Sequence, residues 1–326
     1  MIILSIETSC DETSIAVLQN RMILSNVTIT QIIEQQKFGG VVPNLAAKLH
    51  VLNIQQVLKR ALKESKKNWD DLDYIAYTEK PGLVLCLQIG KIIAETIALF
   101  LNKKVIPINH LEGHIFSSLL NNSKSWNFPA LSLLISGGHT QLYLLNSYFS
   151  LKLIGDTVDD TIGECLDKTA VLMGYNYPGG PIIEELANKG KDAYRLTIPK
   201  NDKSLIFSFS GLKSEISRLL KREKQINHND LSCSLQNVLV KTLEKKIKNA
   251  LSIHPSVRSF IIGGGVIANQ FIRSYLKTFL KKTDKNIEIF IPDILYSTDN
   301  AAMIGIRAYF LQLREEKIKN KITYDN

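Results

Sequence analysis

His110-Leu111-Glu112-Gly113-His114 places two of the chain's six histidines four residues apart. On a helix that spacing puts both rings on one face, where they can share a metal ion. A pair of surface or capping histidines would show the same spacing. Glu112 points away from the histidine face, so the general base of an HExxH metallopeptidase is missing. A metal also needs further ligands. Ser297-Thr298-Asp299-Asn300 opens the last helical pattern, and Asp299 offers either a hard oxygen ligand or a helix cap, the cap being the simpler assignment.

Three loops have the composition of ligand cradles. Glu7-Thr8-Ser9-Cys10-Asp11-Glu12-Thr13 could wrap phosphate oxygens with backbone N–H groups and hold a cation by a carboxylate; alone, it reads as an ordinary polar hairpin turn. In Ser136-Gly137-Gly138-His139-Thr140, two glycines allow close backbone approach and His139 can bond a carbonyl or carboxylate. Gly263-Gly264-Gly265-Val266-Ile267-Ala268-Asn269 lies between a strand and a helix, where N–H groups and the helix dipole favour an anion. It is not GxGxxG, and a lone glycine run is weak. Three such loops facing one cleft point strongly to a nucleotide.

Other stretches are less specific. Asp156, Asp159, Asp160, Glu164 and Asp167 crowd together, with Asp160, Glu164 and Asp167 expected on one helical face. They form either a solvated face or carboxylates for ribose or metal. Tyr177-Pro178-Gly179-Gly180-Pro181 is a rigid turn able to shape a pocket wall. Phe207-Ser208-Phe209-Ser210-Gly211-Leu212-Lys213 reads as an edge strand burying both phenylalanines.

The elements that must position these residues repeat. Strands are expected at 2–8, 14–18 and 22–28, and again at 130–135, 141–145 and 151–155, each triplet a β-meander with a polar or glycine loop after its first strand. Helices are expected at 44–65, 83–101 and 110–120 after the first meander. After the second they are expected at 160–173, 181–189, 230–251, 266–280 and 300–313, with further strands at 72–78, 105–109, 259–262 and 287–291. Such duplication implies two similar α/β lobes, with the turn loops walling a cleft between them.

Composition sets the frame. The chain has 326 residues, 45% hydrophobic and 22% charged, enough for a proper core and about two domains. Cys10, Cys86, Cys165 and Cys233 are widely separated, which excludes a zinc ribbon and argues for reduced thiols in a cytosolic setting. No apolar run is expected to reach a membrane span, because Glu95 and Thr96 interrupt the best stretch, and the apolar start reads as a strand. The net charge of +9 suits a polyanionic partner, although a Lys-, Ile- and Asn-rich composition accounts for it equally well.

Taken together, IETSCDET, GGVVP, HLEGH, LLISGGHTQL, DKTA, YPGGP, FSFSGLK, GGGVIAN and TDNAAMI resemble, in order and across nearly the whole chain, the TsaD family of tRNA adenosine threonylcarbamoyltransferases. The ETSCDET form is similar to the bacterial and organellar branch. The resemblance implies an actin-like, sugar-kinase-like (ASKHA) two-lobed α/β fold. The lobes would be 1–109, completed by a C-terminal helix at about 305–326, and 110–304. It also implies transfer of threonylcarbamoyl from threonylcarbamoyl-AMP to the adenosine 3′ of the anticodon in tRNAs reading ANN codons. A plain ATPase or kinase of the same fold is the alternative.

By motif, the resemblance gives His110, His114 and Asp299 one divalent metal, iron first, with zinc or magnesium as alternatives. Leu134, Ile135, Ser136, Gly137 and Gly138 would line the substrate, with Asp167, Gly180, Glu184 and Asn269 around its nucleoside. His139 would meet the threonyl carboxylate, and Asp11 and Glu12 the acceptor or the metal centre. The implied partners are tRNA, a smaller TsaB-like paralogous subunit and a TsaE-like P-loop ATPase, with no membrane and a cytoplasmic location. Asn44, Lys48, Glu79, Lys80, Gln270 and Glu184 depart from the family's usual residues, and none belongs to the metal triad.

Overall fold

Two strands are apolar at nearly every position, and each ends up in the middle of a sheet. β1 (Ile2–Glu7) and its later counterpart (Ala130–Ile135) are covered on both faces, so neither needs the polar alternation of a surface strand. A computed structural model of the chain describes residues 1–223 and 225–324, with side chains described as far as Glu316 in the last helix. Residues 325–326 of the expected C-terminal helix lie outside the described residues.

The described chain divides into two compact units, 1–125 with 298–326 and 126–297. This division assigns the HLEGH segment and Asp299 to the first unit, whereas the motif-based lobes split at 109/110 and about 304/305.

In the first unit β1 is followed by β2 (Glu12–Gln19), β3 (Met22–Thr30), a short α1 (Ile32–Gln36), α2 (Pro43–Ser65), β4 (Tyr74–Lys80), α3 (Val84–Leu101), β5 (Lys104–Asn109) and α4 (His110–Phe116). The sheet order is β3-β2-β1-β4-β5, antiparallel through the meander and parallel from β1 to β4 to β5. α2 buries Ala46, His50, Ile54, Val57 and Ala61, at the three- and four-residue spacing of one helical face. α3 buries only small residues, Cys86, Gly90, Ala94 and Ala98, each four apart.

The second unit runs β6 (Ala130–Ile135), β7 (Thr140–Ser147), β8 (Ser150–Gly155), α5 (Ile162–Leu172), α6 (Gly179–Ala187), α7 (Ser210–Arg222), α8 (His228–Ile253), β9 (Ser259–Gly263), α9 (Gln270–Thr283) and β10 (Glu288–Phe290). Its sheet, β10-β9-β6-β7-β8, repeats the first in topology and in strand directions. α8 is buried around much of its length; its Lys246 is fully enclosed and donates to Asp202 Oδ1 at 2.8 Å and the Ser204 carbonyl at 3.0 Å. The chain then returns to the first unit as α10 (Ala301–Tyr324).

Three expectations are corrected. Phe207 and Phe209 are both fully buried, but FSFSGLK is no edge strand: one bridge joins Phe207 to Thr157, and α7 begins at Ser210. The alternation of aromatic and serine imitates a strand because both rings drop into the same core. Asp160 lies outside α5, because Thr161 caps that helix in a capping box with Glu164. Finally, α3 is long and apolar enough to cross a membrane, alone among the described helices, since Lys91 and Glu95 leave its average apolar.

Candidate metal centre and glycine-loop site

α4 is a short helix whose direction is fixed at its N-terminus and at its middle. Asn109 caps it, accepting from Leu111 N at 2.9 Å and Glu112 N at 3.3 Å. Gly113 lies against α10, where a Cβ would meet Ile304 Cδ1 at 3.1 Å and the Met303 carbonyl at 3.2 Å. That close approach brings α4 to the segment just before α10, where Asp299 lies two residues ahead of the helix. The start of α10 is itself tied to the sheet: Ala301 N donates to Ser14 Oγ at 2.9 Å, and Ser5 Oγ to the Ala301 carbonyl at 2.7 Å. Asn300 accepts from Met303 N at 3.2 Å and serves as the cap. The simpler sequence assignment gave that role to Asp299, whose carboxylate instead meets the histidines.

His114 Nε2 lies 3.0 Å from Asp299 Oδ1, and His110 Nε2 lies 3.5 Å from the same oxygen. The ligand atoms of the three residues fall within 4.8 Å of one another, and the two rings meet edge to face at 4.7 Å. His114 is fully buried, yet neither ring nitrogen makes a hydrogen bond. A buried, unsatisfied imidazole beside a carboxylate is costly unless another partner takes its lone pair. Two imidazoles and one carboxylate are a donor set for a divalent transition metal, so the residues fit such an ion.

His110 is oriented from behind. Its Nδ1 lies 3.0 Å from Glu7 Oε2 and 3.2 Å from Ser9 Oγ. Burial opposes a charge on this ring, but the Asp299 and Glu7 carboxylates outweigh it and push the imidazole up to about 9. Burial likewise opposes ionisation of Glu7, but His110 and the Ser9 hydrogen bond hold its carboxyl below the usual range. Proton and metal therefore compete for His110.

The first loop sits in the same unit. Its Asp11 is buried and its Glu12 partly so; burial, with Asp11 and Asp299 nearby, pushes the Glu12 carboxyl well up. The same causes push the Cys10 thiol up, which keeps it protonated and a poor nucleophile. All four cysteines are free. His50 reaches in from α2: its Nε2 meets the Cys10 carbonyl at 2.9 Å and its Nδ1 meets Thr13 Oγ1 at 2.8 Å. A carbonyl can only accept, so Nε2 carries the proton and Nδ1 accepts from threonine. Thr8 Oγ1 donates to the Cys86 carbonyl of α3 at 2.9 Å, and Leu83 N to the Ser9 carbonyl at 2.8 Å. Residues 8–13 are thus stitched to both α2 and α3.

The second unit carries the glycine loops. Ser136 N donates to the His139 carbonyl at 2.8 Å and His139 N to Ser136 Oγ at 3.1 Å, closing a tight turn that leaves Gly137 and Gly138 exposed. The N-terminus of α5 abuts this turn. Thr161 Oγ1 donates to the Gly137 carbonyl at 2.6 Å, and a Cβ on Gly163 would lie 2.7 Å from Gly137 Cα. Gly264, at φ +98°, lies against Ile135, whose carbonyl would be 2.3 Å from an added Cβ. Leu134 and Ile135 are fully buried, which leaves their backbone as the part able to meet a ligand.

The expected nucleoside residues are anchored within this unit. Asp167 Oδ1 accepts from Gly179 N at 2.7 Å and Gly180 N at 3.2 Å, which fixes the YPGGP turn. Asn269 caps α9, accepting from Ile272 N at 3.0 Å, and donates to Gln236 Oε1 at 2.7 Å. Glu184 accepts from Gln270 N at 2.7 Å. The acidic cluster separates into distinct jobs: Asp160 pairs with Lys168 and Lys213, Glu164 accepts from Thr161 N to complete the capping box of α5, and Asp159 receives Phe209 N, Ser210 N, Ser208 Oγ and Ser210 Oγ. Glu112 is not poised as a base, since it accepts from Arg307 Nε at 2.6 Å while Arg307 lies 4.4 Å over the Phe116 ring.

Glu7, Ser9, Thr78 and His50 are site residues that spacing alone did not single out as a set. The one available signal was a carboxylate at the end of an otherwise apolar strand.

Residues 22–306 match the family TsaD, tRNA N6-adenosine threonylcarbamoyltransferase. The protein of that name from Mycoplasma capricolum is 45% identical over 330 residues, covering 99% of this chain and 100% of that one. The one from Mesoplasma florum is 44% identical over 98% of this chain and 99% of its own, and the one from Staphylococcus aureus 40% identical over 95% and 92%. Among solved structures, full-length HypF in its phosphate- and nucleotide-bound form superposes with a TM-score of 0.63 at 13% identity. It covers 95% of this chain and 46% of its own, so this chain spans about half its length. That likeness is one of fold: the actin-like, sugar-kinase-like architecture, consistent with the duplicated sheet. The chain belongs to the TsaD family of tRNA N6-adenosine threonylcarbamoyltransferases.

Proposed function

We propose that this chain transfers the threonylcarbamoyl group of threonylcarbamoyl-AMP to the exocyclic amine of the adenosine 3′ of the anticodon in tRNAs reading ANN codons. The amine nitrogen forms a bond to the carbamoyl carbon, the bond from that carbon to the phosphate oxygen breaks, and AMP leaves with the electron pair as the amine gives up a proton. The observation that carries the reading is the convergence of His110, His114 and Asp299 in a chain matched along its length to transferases of that name.

We assign His110, His114 and Asp299 to one divalent metal, iron(II) first and zinc second, because two imidazoles and a carboxylate suit these ions better than magnesium. When bound, such an ion supplies Lewis acidity toward a phosphate or carbamoyl oxygen. The exposed N–H groups at Gly137 and Gly138 we assign to oxygens of the donor, where charge develops on the leaving phosphate. Ser136 holds that turn, and His139 is assigned to the threonyl carboxylate. Asp167 and Gly180 shape the pocket wall, with Glu184 and Asn269 holding α9 beside it. Asp11 and Glu12 are assigned to the acceptor amine. Because an aromatic amine is a weak nucleophile, holding it in line contributes as much as removing its proton.

For partners, we assign the outer faces of α2 and α3 to the smaller paralogous subunit. Val51, Leu52, Ile92, Leu99 and Phe100 are all more than half exposed there. A P-loop ATPase subunit completes the set, and the cytoplasm supplies the tRNA.

The experiment is a transfer assay. Purified chain is incubated with threonylcarbamoyl-AMP and unmodified tRNA, with and without the partner subunits, and the nucleosides are read by mass spectrometry. Modified adenosine with matching AMP release supports the reading; its absence with all partners present overturns it.

A further inference from the structure

We propose that Glu7 is the positioning residue of the metal centre: it fixes the tautomer of His110, so that Nε2 of that ring, and not Nδ1, is turned toward His114 and Asp299. The inference rests on the reading of the triad as a metal site.

Glu7 ends β1 and is fully buried, a rare state for a glutamate without dedicated partners. Its partners are complete. Oε1 accepts from Ser9 N at 2.5 Å; Oε2 accepts from Thr78 Oγ1 at 2.5 Å and faces His110 Nδ1 at 3.0 Å. The sheet builds this arrangement. β1 pairs in parallel with β4 with Ile6 opposite Tyr77, which brings Glu7 beside Thr78. Held from two sides, the carboxylate has little freedom to rotate away from the imidazole.

An ionised carboxylate only accepts hydrogen bonds, so Nδ1 of His110 must carry the proton. When the ring is neutral, as metal binding requires, the remaining nitrogen, Nε2, presents its lone pair, and it lies 3.5 Å from Asp299 Oδ1. His114 differs: its Nδ1 has no hydrogen-bond partner, so no group behind the ring fixes its tautomer, and its Nε2 faces only Asp299 Oδ1 at 3.0 Å. One ligand of the pair is therefore held from behind by a carboxylate and the other is not. A carboxylate behind an imidazole raises its basicity as a ligand, and losing such a partner typically weakens metal binding by about 10–100-fold. Thr78 acts one step further out, through the orientation of Glu7.

The test uses the full chain stripped of metal and titrated with Zn2+ against a chromophoric chelator. Glu7→Gln keeps the shape and removes the charge; we expect it to weaken Zn2+ binding by about 10–100-fold. Thr78→Val, which touches neither histidine, should weaken it by a smaller factor. In the Zn2+-loaded wild type, long-range 1H–15N spectra of the histidine rings should show His110 protonated at Nδ1. A role confined to fold stability would shift the melting temperature of the metal-free variants and leave Zn2+ affinity and tautomer unchanged. Zn2+ affinity within twofold of wild type in folded Glu7→Gln, or a His110 protonated at Nε2, overturns the proposal. Should Glu7→Gln not fold, the tautomer spectrum of the wild type decides. A wild type that binds no Zn2+ overturns the metal reading itself, and this inference with it.

Discussion

Asp299 Oδ1 is the atom both imidazoles share, and its side chain keeps about a quarter of its surface open to solvent while His114 has none. This asymmetry separates the expected effects of substitution. Asp299→Ala should retain the fold and lose metal, dropping transfer by on the order of 100-fold, because an open-site ligand contributes to binding more than to packing. Metal content by mass spectrometry beside the transfer rate checks it. Glu112→Gln should behave in the opposite way. It leaves the triad intact and keeps an amide oxygen facing Arg307, but it removes the negative charge opposite that buried guanidinium, so it should cost about 1–3 kcal/mol of stability, the lower end being set by the 32% exposure of Glu112. A denaturant midpoint reads that cost, and metal stoichiometry should stay unchanged. A Glu112→Gln variant that was fully stable but inactive would instead make this carboxylate part of the chemistry.

At the scale of elements, the glycine loops and the FSFSGLK turn carry their own predictions. Gly264 combines φ +98° with an Ile135 carbonyl too close for any Cβ, so Gly264→Ala should destabilise the chain by about 2 kcal/mol or more. Thermal melting checks it. Asp159, which receives two backbone and two hydroxyl donors from the start of α7, has its carboxyl held low by those bonds against the opposing effect of burial. A lowered folded-state value means that the stabilisation is fully present above the unfolded value of about 4 and is lost as pH falls below it. Urea midpoints of Asp159→Asn should therefore be lower than wild type at neutral pH, with the two curves converging in acid.

These elements also mark where the sequence could be read and where it could not. The duplicated meander was legible because β1 and β6 are mostly apolar, and each is followed by a polar or glycine turn. The strand-like alternation of FSFSGLK was misleading, because periodicity cannot tell two buried aromatics in a loop from two in a strand. The acidic cluster was read on a helical wheel that began two residues too early; Thr161, as cap, puts Asp160 outside it. His110, His114 and Asp299 could be singled out by residue type and motif. The hydrogen bonds that Glu7 accepts from Thr78 and His110 could not, since those partners lie 71 and 103 residues away in the chain and only the sheet brings them together. In α3 it is the small residues, four positions apart, that are buried, while Ile92, Leu99 and Phe100 stay exposed.

At the scale of the whole molecule, charge and surface become testable. With a net charge of +9 and a polyanionic acceptor, affinity for unmodified tRNA should fall steeply with salt, linearly in log–log form, as phosphate contacts release counterions. Filter binding across a salt series checks it, and a flat response would remove the electrostatic contribution. Leu99 and Phe100, exposed at 85% and 86%, should tolerate replacement by aspartate without loss of fold while abolishing co-purification with the smaller subunit. The most direct measurement joins the metal to the chemistry. The purified chain is stripped of metal, supplied with its partners, threonylcarbamoyl-AMP and unmodified tRNA, and assayed before and after anaerobic reloading with iron(II), with His114→Ala run in parallel. The prediction is modified adenosine from the reloaded wild type only, with the metal-free chain and His114→Ala lower by on the order of 100-fold. Equal product from the stripped and reloaded chains would contradict a metal-dependent transfer at His110, His114 and Asp299.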